Sequence, residues 1–147
     1  MRRLIVGLAA LSVAAVAAGA YAVEDPIFKR KSLMDANGAA AGAGGAMLKG
    51  EAPFNAAVAK SVFQTMHAVA YPYGDYFPAG SDKGDTKASP KIWEDAAGFA
   101  AALAKFQKDT DAAIAAKAED LEAFKAAFGQ VASNCKACHD AYRIPSN

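Results

Sequence analysis

Cysteine, histidine and tryptophan are scarce in this sequence: 147 residues include two cysteines, two histidines and one tryptophan. Two cysteines exclude a scaffold stapled by several disulfides. With so few histidines, and no other general acid or base standing out, an enzyme built on proton transfer is disfavoured. An excess of one charge is missing too, since 16 Lys and Arg face 15 Asp and Glu. That balance argues against nucleic acid as a partner. No segment of useful length alternates with a two-residue period, which speaks against a sheet, and no fixed-period repeat points to a solenoid.

The one long apolar run is Leu4 to Ala18, preceded by Met1-Arg2-Arg3 and followed by Ala20-Tyr21-Ala22. A basic start, a short apolar stretch and a small-x-small end make a secretory signal peptide, with cleavage expected after Ala22. A transmembrane anchor fits less well, because the run is short and Ala-rich. No cysteine lies near the cleavage point to accept a lipid, so no stable membrane anchor is expected and the product should be periplasmic. Removing residues 1–22 from 147 leaves 125, residues 23–147, enough for one domain and one core.

Helical periodicity carries four segments, so the expected fold class is all-α, an antiparallel four-helix bundle. Asp25-Pro26 should open the first helix and Gly50 should close it after about Lys49. The second should start near Pro53, carry Phe54, Val58, Val62, Met66 and Val69 on one face, and end before Pro72. Residues Tyr71 to Ser89 hold several Pro and Gly among aromatics and read as a long loop of the kind that often carries function. The third helix should run from Ser89-Pro90 to about Lys117, with Ile92, Ala96, Phe99, Leu103 and Phe106 facing inward. The fourth should start near Glu119 and align Leu121, Phe124, Phe128, Val131, Cys135 and Cys138.

Chemistry concentrates at Cys135-Lys136-Ala137-Cys138-His139. This is the C-x-x-C-H sequence that attaches haem. Positions i and i+3 share a helix face, so both sulfurs can reach the vinyl groups along one side of the macrocycle. His139, at i+4, is then placed to bind the iron. Two other readings compete. A thioredoxin-type dithiol expects a βαβ context and a cysteine at a helix start, and a structural zinc site needs four ligands where only Cys135, Cys138, His139 and His67 are on offer. The reading that also explains the histidine is one haem c, covalent through two thioethers.

Upstream, Met34, Gly38, Ala41 and Gly45 fall on one helical face of small residues that a flat ring could approach. The alternatives are close helix packing for the strip and a gap-filling core side chain for Met34. His67 lies beside the core stripe of the second helix and reads as an edge histidine, Met47 and Met66 as weaker ligand candidates, Trp93 and Phe99 as core.

From Cys135 to Arg143 the sequence Cys-Lys-Ala-Cys-His-Asp-Ala-Tyr-Arg resembles the class II c-type cytochromes, the cytochrome c′ superfamily, and the resemblance extends from Pro26. It implies a distal side chain at Met34, four positions after the basic Arg30. The stretches Ser32 to Gly38 and Ser89 to Trp93 are similar to the low-spin cytochrome c-556 group, in which a methionine ligates. Lys31 stands where high-spin relatives often carry Gln. The resemblance therefore implies His139 and Met34 as iron ligands, Arg143 near the proximal face, and Arg30 as either a solvated charge or a partner for a haem propionate. The function implied is one-electron transfer with transient redox partner proteins, and a homodimer is compatible with it. The alternative is an open or labile distal site that binds nitric oxide or carbon monoxide. A dithiol oxidoreductase would require Cys135 and Cys138 as free thiols.

Overall fold

Asp25 opens the part of the chain that the computed structural model describes, residues 25–145; the signal-like segment and the cleavage after Ala22 lie outside it. The Asp25 side chain accepts a hydrogen bond from the Ile27 backbone N–H at 2.9 Å, and Pro26 occupies the first helical position. Helix α1 (Pro26–Lys49) ends where Gly50 adopts a left-handed φ of 73° and returns its N–H to Ala46 and Met47. Glycine takes that conformation without a Cβ clash. Both ends lie where the sequence puts them.

Helix α2 (Ala56–Ala70) starts later than Pro53, because the Asn55 side-chain oxygen accepts from the N–H groups of both Ala57 and Val58. That cap satisfies two otherwise orphaned donors. Val62, Met66 and Val69 are buried as expected, but Val58 is 41% exposed and faces away from the core. Phe54 precedes the helix yet still packs on Phe124, with ring centroids 6.1 Å apart.

The expected third helix is broken in two, α3 (Lys91–Glu94) and α4 (Ala96–Ala116). Asp95, at φ −124° and ψ 58°, leaves helical geometry between them. Its carboxylate accepts from the Gly98 N–H at 3.1 Å and from the Tyr142 hydroxyl at 2.9 Å. A short polar side chain that caps locally in this way competes with helix continuation. Helix α5 (Leu121–Tyr142) is capped by Asp120, whose side chain accepts from the Ala123 N–H at 2.8 Å.

The four long helices form the antiparallel bundle, with α1 on α2, α2 on α4, α4 on α5, and lighter contact between α1 and α5. The larger core gathers Met47, Val62, Phe63, Met66, Phe124, Phe128 and Val131. A smaller one holds Ile92, Phe99 and Tyr142, with Phe77, Trp93, Leu103 and Cys138 against it. After α5 the chain pairs with the loop: Ser89 N–H donates to the Tyr142 carbonyl at 3.0 Å and Ile144 N–H to the Lys87 carbonyl at 2.8 Å. The loop and the C-terminal end of α5 are thereby held together. Among the described residues no helix is long and apolar enough to cross a membrane.

Candidate functional site

Two adjoining cavities open between α1, the loop, α4 and the end of α5. The larger, about 400 Å³, is lined by Arg30, Met34, Tyr73, Phe77, Phe99, Cys138, His139 and Arg143, among others. The smaller, about 50 Å³, is lined by Met34, Asn37, Tyr73, Leu103, Phe106, Asn134, Cys135, Cys138 and His139. Met34, Tyr73, Cys138 and His139 are common to both, so α1 and α5 bring the sequence-predicted groups into one space. The larger volume lies within the ~300–1,000 Å³ of small-molecule and cofactor sites.

Cys135 and Cys138 are half-buried and not joined to each other. Burial pushes the Cys135 thiol up from its ordinary value; burial does the same to Cys138, with the neighbouring Cys135 adding to it. A nucleophilic redox thiol needs the opposite shift, so this pair is poorly suited to dithiol exchange. His139 is held below the usual imidazole range by burial and then by the charge of Arg143, against the pull of Asp140. The neutral ring is the form that binds a metal.

Arg30 is 4% exposed, which excludes the solvated charge. Its guanidinium donates to the Tyr76 carbonyl (3.0 Å), the Ser81 hydroxyl and carbonyl (both 2.8 Å) and the Thr86 hydroxyl (3.1 Å), and it lies 4.7 Å from the centre of the Phe77 ring. Arg30 thus fastens the loop onto α1. Burial lowers its pKa, although Tyr73 and Asp25 act to raise it. All four of these hydrogen-bond acceptors are uncharged, and a buried cation is stabilised by an anion. Apolar side chains at Phe77, Phe99, Leu103 and Phe106, two thiols on one helix face, a neutral-favouring imidazole and a buried cation at the rim fit a flat macrocycle bearing acid groups.

The strip of small residues does not line this space. Only Met34 does; a Cβ added at Gly38 or Gly45 would meet nothing within 4 Å, and Ala41 packs on the larger core. The close approach is one position away, at Gly44, where an added Cβ would lie 2.4 Å from Cε2 of Phe128. His67 sits on the surface with Nδ1 3.0 Å from the Asp111 carboxylate, away from the cavities. Met47 and Met66 are core, at 3% and 1% exposure. Trp93 donates its indole N–H to the Phe77 and Pro78 carbonyls, so it bears on the loop as well as on the core.

Among the lining residues that carry no assignment from the sequence, Tyr73, Phe77, Asn134 and Asn37 stand out. Tyr73 lines both cavities, and burial, with Cys138 adding, pushes its phenol up to about 12 against the charges of Arg30 and Arg143. Phe77 stacks edge-on against Phe99 at 4.8 Å. Asn134, next to Cys135, joins a buried network in which Asp109 Oδ2 accepts from Asn134 (2.7 Å) and Lys105 (2.6 Å). Asn37 lies one turn beyond Met34, a spacing that could have marked it.

Residues 25–143 match the family model described as Cytochrome C′. The chain belongs to the cytochrome c′ family. Cytochrome c-556 of Agrobacterium fabrum is 35% identical over 136 residues, covering 92% of each chain. Cytochrome c′ of Rhodopseudomonas palustris is 41% identical over 127 residues, 84% of this chain and 85% of that one. A solved structure of cytochrome c′ from Rhodopseudomonas palustris superposes with a TM-score of 0.80 at 39% identity, covering 84% of this chain and 98% of that one. The four-helix bundle, for which cytochrome c′ is a standard example, is thus confirmed by likeness as well as by packing. As a cytochrome c′ family member the chain binds haem c covalently, and Cys135 and Cys138 are its two cysteines. Both cytochrome c-556 and cytochrome c′ occur among its relatives.

Proposed function

We propose that this protein is an exported mono-haem electron carrier. Cys135 and Cys138 form the thioethers, His139 and Met34 hold the iron, and Arg30 offers its charge to a propionate. The observation that carries this reading is that Met34, from α1, and His139, from α5, line both of the same two cavities. When bound, the haem supplies an iron that takes up and releases one electron. The protein's part would be to hold the iron through His139 and Met34, to surround it with Phe77, Phe99, Leu103 and Phe106, and to set the potential, which a methionine thioether would raise relative to harder ligands. Export to the periplasm rests on the signal-like segment before Ala22. Partners are redox proteins that dock briefly at the rim formed by the loop and the end of α5. A second copy of the chain would cover the groove between α1 and α2, lined by Ala36, Ala39, Ala40, Ala43, Val58 and Val62.

A second reading, a site open to nitric oxide or carbon monoxide, is favoured by one observation: the cavity beside Met34 is roomy and Met34 itself is only partly buried. Met34→Ala separates the two. Under the proposal the variant changes from low-spin to high-spin and binds carbon monoxide readily; an unchanged spectrum removes Met34 from the iron.

A further inference from the structure

Asn37 is 8% exposed, lines the smaller cavity, and has its Oδ1 buried without a hydrogen-bond partner. An unsatisfied buried amide group costs roughly 1–3 kcal/mol, and natural cores hold few of them. The surrounding side chains offer little relief. Ala102, Leu103 and Phe106 are apolar. The other side-chain amide lining the cavity, Asn134, is already committed: its Nδ2 donates to Asp109 Oδ2 and to the Gln130 and Val131 carbonyls, and its Oδ1 accepts from Lys105. Met34, Tyr73, Cys135, Cys138 and His139 complete the lining, and of these Met34 alone stands on the same helix as Asn37, one turn away.

On α1, Asn37 follows Met34 by three positions, and helical side chains lean toward the N-terminus, so the carboxamide leans over the turn that carries Met34. A thioether sulfur is an acceptor only, and a carboxamide can turn its NH₂ where its oxygen stood. We infer that Asn37 is a positioning residue for the sixth iron ligand: its amide N–H donates to the Met34 sulfur, fixing which lone pair faces the iron. The inference rests on the proposed ligation by Met34 and extends it. It gives the buried amide a partner and gives Met34, a flexible side chain, a reason to hold one orientation.

The test compares wild-type holoprotein with Asn37→Leu, which keeps similar volume and removes the amide. If Asn37 holds the sulfur, Asn37→Leu weakens the methionine-to-iron charge-transfer band and speeds carbon monoxide binding to the ferrous protein about three- to tenfold, the equivalent of one ordinary hydrogen bond. If Asn37 is only an unsatisfied core residue, the leucine raises the melting temperature and leaves band and rate unchanged, which overturns the inference. A wild-type protein that is already high-spin rejects ligation by Met34 and this inference with it. A low-spin wild type with an unaltered Asn37→Leu spectrum rejects the role of Asn37 alone.

Discussion

Replacing Gly44 by alanine tests how closely α1 and α5 approach. The added Cβ would lie 2.4, 2.9 and 3.1 Å from Cε2, Cδ2 and Cζ of Phe128. That ring has little freedom to retreat: it is 9% exposed and packs at 5.3 Å on Phe124, itself fully buried and 5.2 Å from Phe63. Alanine in a helix interior gains about 1 kcal/mol over glycine, whereas forcing an atom into a packed core costs about 1–3 kcal/mol, with a contact this short at the upper end. The net expectation is a loss of about 1–2 kcal/mol. Gly42 and Gly45, on the same helix, would meet nothing within 4 Å, so alanine there should stabilise by about 0.5–1 kcal/mol. Thermal unfolding of the ferric holoproteins, followed by far-ultraviolet circular dichroism, should separate the two classes by roughly 6–15 °C for a domain of this size. A Gly44→Ala protein as stable as Gly42→Ala would refute the packing described for these helices.

Other outcomes follow from the loop and the buried network. Arg30→Ala leaves four loop acceptors without their donor and should cost about 2–4 kcal/mol, with faster limited proteolysis between residues 76 and 86; unchanged proteolysis would show that the clamp does not hold the loop. At Asp109, burial raises the carboxyl pKa, but hydrogen bonds from Asn134, Lys105 and Gln130 and the charge of Lys105 outweigh it and leave the pKa lowered. A depressed folded pKa contributes stability above the unfolded value of about 3.9, lost as pH falls through the folded one. Asp109→Asn should therefore be less stable than wild type at neutral pH by about 1–3 kcal/mol, and denaturant titrations should show the gap closing below about pH 4. A gap independent of pH would contradict the assigned charge.

Both ends of the first helix and the attachment motif were legible because their determinants are local: Asp25-Pro26 and Gly50 act on backbone groups within a turn, and Cys135, Cys138 and His139 share one face of one helix. The break at Asp95 was hidden because the apolar spacing Ile92, Ala96, Phe99 runs through it unchanged, while its cause is a side chain that caps Gly98 and meets Tyr142 from another helix. The small-residue strip misled for a related reason. Spacing reveals a face, but which glycine meets a neighbour depends on how α1 is rotated against α5, and that brings Gly44 rather than Gly45 against Phe128. Arg30 was legible as a basic residue of the site, but its hold on Tyr76, Ser81 and Thr86 needs the loop's path. Asn37 stands among alanines and glycines, and its missing partner becomes visible only once α4 and α5 are in place.

Whether His139 and Met34 hold the haem iron is decided by the optical spectrum of the purified holoprotein, oxidised and then reduced, with carbon monoxide added last. Ligation by both residues gives a low-spin spectrum with a methionine-to-iron charge-transfer band and little response to the gas. A high-spin spectrum with ready carbon monoxide binding would contradict it and assign the protein to the open-site chemistry instead.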